Sequence, residues 1–180
     1  MDVTLFAVTA RDGGELIAVG DGSTILHYTP EDGWSSSHSG GSVSLRAVWT
    51  DPSSDGISGT LAVGSKGTLF RHAGDTWVTQ QIAAGDVTLS AVLGMGERRF
   101  AVGSGGTISV KANETAPWQG ATSNLTDGWD LHALAGLGED DVRAFGDHGS
   151  IVAYDGDKWS VEHVTGPHHV ISDLVAAGAA

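Results

Sequence analysis

The stretch VTLFAV, residues 3–8, decides the fold because it returns three more times along the chain. The later copies are VSLRAV at residues 43–48, VTLSAV at residues 87–92 and WDLHAL at residues 129–134. Successive copies begin 40, 44 and 42 residues apart. A fixed period in the forties, with several short strand-like runs in each unit, is typical of a radial or stacked β architecture.

Each unit carries further landmarks in the same order. An Ala-Val-Gly or Ala-Phe-Gly triplet ends a second apolar run at Gly20, Gly64, Gly103 and Gly146. A turn rich in Gly, Ser and Asp and a third apolar run follow, and a tryptophan completes the unit at Trp34, Trp77, Trp118 and Trp159. Apolar residues alternate along the first run, which is the period of a β-strand, and the turn residues between runs indicate hairpins. Four antiparallel strands in such a unit make a propeller blade.

The predicted fold class is therefore all-β. We expect a single β-propeller domain over residues 1–180, with four-stranded blades of roughly 42 residues at about 3–42, 43–86, 87–128 and 129–169. An apolar segment at residues 170–177 is expected to form a C-terminal strand that pairs with a sheet edge in its own ring or in a neighbouring subunit, because open edges invite uncontrolled pairing. The repeat leaves open whether four blades close one ring or two chains share a larger one.

The pattern LxAV…AVGxxGTIxxYxGxxW resembles the blades of bacterial and archaeal propellers described as BNR-like or photosystem-II-assembly-factor-like. The resemblance covers nearly the whole chain and implies the propeller fold, but it implies no activity because those relatives have diverse or unknown roles. The sialidase-type Asp-box is only half present, since its glycine occurs at Gly74 and Gly156 alone. Its aspartate is replaced by Thr29, His72, Asn113 and Tyr154.

The composition is strongly acidic, with 22 Asp and Glu residues against 9 Lys and Arg residues and a formal net charge of −13. This balance, with few lysines, resembles the proteins of haloarchaea and of brine, because carboxylates hold hydrated cations and salt screens their repulsion. An ordinary acidic protein is the alternative. The charge argues against nucleic acid as a partner, since a phosphate backbone requires a basic surface.

No apolar run reaches the about 18 residues that span a bilayer, so we expect no membrane insertion. No signal peptide is evident at the N-terminus, and the localisation stays open.

Two groups of side chains are weak candidates for a metal site. His163, His168 and His169 lie close together near the C-terminus, and imidazoles suit transition metals. Asp51 and Asp55 flank a lengthened loop in the second unit and could offer oxygen ligands to calcium. Surface histidines and a solvated Asp/Ser turn are the plainer interpretations, and we predict no metal or other cofactor.

The fourth position of the first run differs in every unit, whereas the residues around it hardly change. It is occupied by Phe6, Arg46, Ser90 and His132. In a repeat protein the framework is fixed by packing, so a position that varies can carry function. With Trp49 beside them, Arg46, Ser90 and His132 are the candidate ligand-binding residues. The alternative is packing that is specific to each pair of neighbouring blades.

Both asparagines of the chain, Asn113 and Asn124, lie in Asn-x-Thr sequons, and the sequence does not decide whether they are modified. No nucleophile, acid and histidine stand in a hydrolase order, so we predict that the chain is not an enzyme.

Three functional hypotheses follow. The first is a non-catalytic propeller that interacts with other protein subunits, as an oligomer or as a structural or attachment component of a larger assembly, such as a virion or cell-surface complex in a high-salt environment. The second is a lectin-like propeller that binds a glycan. The third is a glycoside hydrolase, which would need two paired carboxylates across a cleft.

Overall fold

Each unit of the repeat folds into one antiparallel, four-stranded sheet whose strands lie in chain order. The computed structural model describes residues 3–52, 54, 56–125 and 128–163, except for the side chain of His163. The first sheet, blade 1, consists of β1 (Leu5–Ala10), β2 (Leu16–Gly20), β3 (Ile25–Thr29) and β4 (Gly33–His38). Blade 2 consists of β5 (Leu45–Trp49), β6 (Leu61–Gly64), β7 (Thr68–Ala73) and β8 (Thr76–Gln81).

The third and fourth units repeat this arrangement. Blade 3 consists of β9 (Leu89–Met95), β10 (Arg98–Gly103), β11 (Ile108–Lys111) and β12 (Gln119–Ala121). Blade 4 consists of β13 (Leu131–Gly138), β14 (Asp141–Gly146), β15 (Ile151–Tyr154) and β16 (Trp159–His163). The prediction of an all-β propeller with four four-stranded blades is thereby confirmed. The predicted strand at 170–177 lies outside the described residues.

The chain divides into two compact units, Met1–Val92 and Leu93–Ala180, with the boundary inside β9. Unit 1 contains blades 1 and 2, and unit 2 contains blade 4 and most of blade 3. The single domain expected from the repeat stays a prediction.

The core of unit 1 is formed by two sheets that pack face to face. Blade 1 contributes Ile17, Val19 and Ile25, which we call its forward face. Blade 2 contributes the face that we call its back face, which comprises Leu45, Ala62, Phe70 and Trp77, with Val43 and Val48 packed at its margin. All of the cluster residues are buried except Val43 and Val48, which are partly buried. The indole N–H of Trp77 also donates a hydrogen bond to Ser37 Oγ at 2.8 Å, which ties the fourth strand of blade 2 to that of blade 1.

Unit 2 repeats the same contact with different residues. The forward face of blade 3 is formed by Phe100, Val102 and Ile108, which are all buried. The Phe100 ring lies edge-on to Trp159 and Tyr154 of blade 4, with ring centroids 5.9 Å and 5.4 Å away. Edge-to-face aromatic pairs of this kind add to the stabilisation from buried area.

The four tryptophans that complete the repeat units occupy the same part of each blade but differ in exposure. Trp34, Trp77 and Trp159 lie in the fourth strand, and Trp118 immediately precedes it. Trp77 and Trp159 are buried, Trp118 is half-buried and Trp34 is exposed. The position in the repeat therefore does not by itself fix burial.

A short 3-10 turn follows each Ala-Val-Gly or Ala-Phe-Gly triplet, at the place where the sequence predicts a turn. The turns are Asp21–Ser23, Ser65–Gly67, Ser104–Gly106 and Asp147–Gly149. The triplet glycine itself is extended, with φ of −170° at Gly64, so backbone conformation does not require it. Crowding does, because a Cβ on Gly64 would lie 2.0 Å from the carbonyl oxygen of Ser44, and one on Gly146 would lie 2.1 Å from that of Asp130.

We therefore expect Gly64→Ala to destabilise the protein by about 1–3 kcal/mol, the usual cost of overpacking a closed site. Gly138→Ala is the matched control, because a Cβ there meets no atom within 4 Å and the residue also lies in a strand. Urea unfolding of the two variants and the wild type measures the difference. Equal stability of the two variants would show that the strands of blade 2 can separate without cost.

Candidate functional site

The variable position of the repeat lies at the start of the first strand in every blade. Phe6 is on β1, Arg46 on β5, Ser90 on β9 and His132 on β13, each directly after the leucine that recurs in every unit. Arg46 is exposed, whereas Ser90 and His132 are half-buried. These four side chains are therefore placed at one register of the repeat.

In unit 1 this position forms a contact between neighbouring blades. The guanidinium carbon of Arg46 lies 4.0 Å from the centroid of the Phe6 ring, which is a cation–π geometry. Trp49 is the last residue of the same strand and is half-buried. The structure thus brings Arg46 to Phe6, and a ligand role for Arg46, Trp49 and Ser90 stays a prediction.

In unit 2 the variable position belongs to a polar cluster. His132 Nε2 lies 2.8 Å from Asp147 Oδ1, and the backbone N–H of Asp130 donates to Asp147 Oδ2 at 3.1 Å. The Asp130 carboxylate accepts a hydrogen bond of 2.8 Å from the backbone N–H of Gly105. The hydrogen bond from His132 holds the pKa of Asp147 below its ordinary value. Asp147 is therefore fixed as a carboxylate, and it fixes the orientation of the imidazole.

An aromatic pair lies beside these groups. The rings of Trp129 and His148 are stacked, with centroids 4.4 Å apart and planes inclined by 23°. His148 has φ of 58°, a left-handed conformation that Gly22, Lys66 and Gly105 adopt at the same place in blades 1, 2 and 3. A residue other than glycine is uncommon there, and the stack compensates for part of its strain.

We call Trp129, Asp130, His132, Asp147 and His148 the blade-4 cluster. All five are partly exposed, so the group can hydrogen-bond and stack against a ligand. Among the described residues, His132 hydrogen-bonds to a carboxylate and to no hydroxyl group. The sequence pointed to His132 through its variable position, but it gave no signal for Asp147 or for the stack.

A pocket of about 330 Å³ lies between blades 3 and 4 of unit 2. Its lining includes Pro117, Gly120, Tyr154, Lys158 and Trp159. The buried indole N–H of Trp159 has no hydrogen-bond partner among the described residues, in contrast to that of Trp77.

The repeat explains this difference. Ser37, the partner of Trp77, is a bulge residue in β4. Ile25 of β3 pairs with His38 and Leu26 pairs with Ser36, so Ser37 between them has no partner in β3. In blade 3 the pairing runs without a bulge, Ile108 with Ala121 and Ser109 with Gly120, so no equivalent hydroxyl is present.

The remnants of the Asp-box cap turns. Thr29 Oγ1 accepts the backbone N–H of Asp32 at 3.0 Å, and Asn113 Oδ1 accepts that of Ala116 at 2.9 Å. In blade 4 the capping residue is Asp155, which accepts the N–H of Lys158 at 2.9 Å and lies one place after Tyr154. These positions are therefore structural in the described turns.

The metal candidates lie largely beyond what the structure describes. Asp55, His168 and His169 are outside the described residues, as is the side chain of His163. Asp51 is half-buried after β5. Within the described part of the chain, no group of three His, Cys, Asp or Glu side chains is placed to hold a metal ion. Modification of Asn113 and Asn124 likewise stays undecided.

Comparisons with known proteins support the fold. No family model and no curated protein matches the chain. A solved structure of YCF48 from Cyanidioschyzon merolae matches with a TM-score of 0.66 and 16% identity, over 84% of this chain and 50% of that one. A structure of YCF48 bound to D1 peptide matches with a TM-score of 0.64 and 13% identity, over 89% of this chain and 53% of that one.

The chain thus spans about half the length of these solved chains. At this identity the likeness shows the fold, and it confirms the resemblance to photosystem-II-assembly-factor-like propellers at that level. In the described part of the chain, no helix has the length and apolar character to cross a membrane.

The lowered pKa of Asp147 gives a pH-dependent prediction. A carboxyl group whose folded pKa lies below its unfolded value stabilises the fold above the unfolded value, and this contribution is lost as the pH falls through the folded pKa. His132→Ala should therefore raise the pKa of Asp147 towards its ordinary value of 3.8. The stability lost in the variant should be largest above about pH 4 and should shrink in stronger acid.

Carboxyl NMR titration and urea midpoints across the acid range measure both effects. Asp155 is the internal control, because backbone N–H groups of Lys158 and Asp157 lower its pKa and His132 does not touch it. An unchanged titration of Asp147 in the variant would contradict the assigned hydrogen bond.

Proposed function

We propose that this chain is a non-catalytic protein-interaction module that binds a segment of another protein through the blade-4 cluster. The observation that carries the proposal is the fixed His132–Asp147 pair beside the stacked Trp129 and His148 rings. In unit 1, Arg46 and Ser90 occupy the corresponding place in blades 2 and 3, and each is proposed as a ligand contact of its own blade.

The chemistry of the cluster suits a peptide. The imidazole and the carboxylates can hydrogen-bond to backbone and side-chain groups, and the indole offers a flat apolar surface. Tryptophan and arginine are enriched among the residues that dominate protein interfaces. Because Asp147 is held by the Asp130 backbone and by His132, little side-chain freedom is lost on binding, which favours affinity.

A propeller of the same fold has been solved bound to D1 peptide, which is a property of that protein. It supports the proposal because it shows that this fold can present a peptide-binding surface. The identity of 13% carries no partner over to this chain.

We further propose that the module belongs to a larger assembly in a high-salt environment, such as a virion or a cell-surface complex. The support is the net charge of −13, which a dilute solution leaves largely unscreened.

Selection from a displayed library of random short peptides tests the interaction. We expect peptides that bind the wild type, and we expect His132→Ala to weaken their binding about tenfold, the effect of losing about 1.4 kcal/mol. Leu137→Ala is the control, because Leu137 is exposed and outside the cluster. A glycan array and chromogenic glycosides are screened in parallel.

Peptide binding that is unchanged by His132→Ala would show that the peptide binds outside the blade-4 cluster. Binding to glycans without peptides would establish the lectin alternative, and hydrolysis of a glycoside would establish an enzyme.

The salt proposal has its own test. As KCl rises from about 0.1 M to about 1 M, the Debye length falls from about 10 Å to about 3 Å. We expect the melting temperature to rise over this range because repulsion among the 22 carboxylates is screened. A flat profile would identify an ordinary acidic protein.

A further inference from the structure

Blade 1 presents an apolar face that the equivalent faces of other blades do not expose. Val3, Leu5, Val8 and Trp34 are 48%, 46%, 63% and 51% exposed. They stand at the repeat positions of Val43, Leu45, Val48 and Trp77, which form the back face of blade 2. Leu45 and Trp77 are buried, and the two valines are partly buried. The same residue types at the same four repeat positions are therefore buried or partly buried in blade 2 and exposed to solvent in blade 1.

The structure shows what covers such a face within each unit. In unit 1 the back face of blade 2 packs on Ile17, Val19 and Ile25 of blade 1. In unit 2 the back-face Trp159 of blade 4 packs on Phe100 of blade 3. In both cases the cover is the forward face of the blade that precedes in the chain.

The complementary surface is present on blade 4. Its forward face carries Arg143, Phe145 and Ile151 at the repeat positions of Ile17, Val19 and Ile25. All three are only half-buried, whereas Ile17, Val19 and Ile25 are fully buried. Arg143 is held by Asp141 and by Glu162, whose Oε2 lies 2.9 Å from Arg143 Nε. Phe145 and Ile151 are left as the apolar part of this face.

We propose that the back face of blade 1 binds the forward face of blade 4 of a second copy of this chain. The junction would repeat the contact that joins blades 1 and 2 within unit 1. It goes beyond the peptide binding proposed above, because it uses a surface distinct from the blade-4 cluster.

Two observations favour a second copy as the occupant. The two faces carry the framework residues of a blade-to-blade contact, so the best-fitting partner is another blade of the same repeat. The solved propellers of this fold also hold about twice the matched length in one chain. Two such junctions, related by a twofold axis, would join two chains into a closed dimer.

The native mass of the full chain at micromolar concentration in about 1 M KCl, where the Debye length is about 3 Å, tests the proposal. Sedimentation velocity should give twice the chain mass of 18.4 kDa. Leu5→Asp on the back face and Phe145→Asp on the forward face should each raise the dissociation constant at least about thirtyfold, as expected for a charge at the centre of an interface. Val8→Asp and Ile151→Asp replace them if either variant loses its circular dichroism spectrum.

Leu137→Asp is the matched control, because Leu137 is 89% exposed and lies on neither face. It should leave the dimer intact. Mixing the Leu5→Asp and Phe145→Asp chains should restore association, because blade 4 of the first and blade 1 of the second are both unaltered.

A wild-type monomer would overturn the proposal. A dimer that withstands all of the face variants would place the interface elsewhere and overturn it as well. Peptide binding is measured on the Leu5→Asp and Phe145→Asp variants as well. Because neither substitution changes a residue of the blade-4 cluster, a failure of self-association can be told apart from a failure of the proposed peptide binding.

Discussion

The structure depends on the burial of one sheet face against the next. In unit 1 the side chains of Ile17, Val19 and Ile25 reach zero exposure only because Leu45 and Trp77 of the following blade lie on them. A single antiparallel sheet has no such cover, and its apolar face would lie in water. The repeat in the sequence therefore follows from a physical need, since each blade is stable through its neighbour.

That dependence also separates framework from function. Residues that face a neighbouring blade are restricted to aliphatic and aromatic types, and the triplet glycine is restricted by the carbonyl group that crowds it. The position after the repeated leucine holds a different residue type in each blade. It holds Phe6 and Arg46 in a cation–π contact in unit 1, and it holds His132 against Asp147 in unit 2. Divergence at one register has thus given the blades different surface chemistry on the same backbone.

Small departures from the repeat have large local effects. One extra residue in β4 places Ser37 under the indole N–H of Trp77, and its absence from β12 leaves Trp159 without that acceptor beside a pocket. His148 takes a left-handed position that blades 1 and 3 give to glycine, and its ring stacks on Trp129. Trp159 and His148 both lie in unit 2, which also contains the proposed binding cluster.

The sequence by itself determined the four sheets, their strand order and the turns, because alternation along a strand and glycine in a turn act over a few residues. It also marked His132 as a variable position. Only the tertiary structure decided which faces are covered, since Leu5 and Leu45 are the same residue in the same motif and differ in exposure. It likewise decided that Gly64 is needed against Ser44, and that Asp147 is the partner of His132. These contacts join segments that are distant in the chain. A local sequence pattern does not specify which distant segment packs against it.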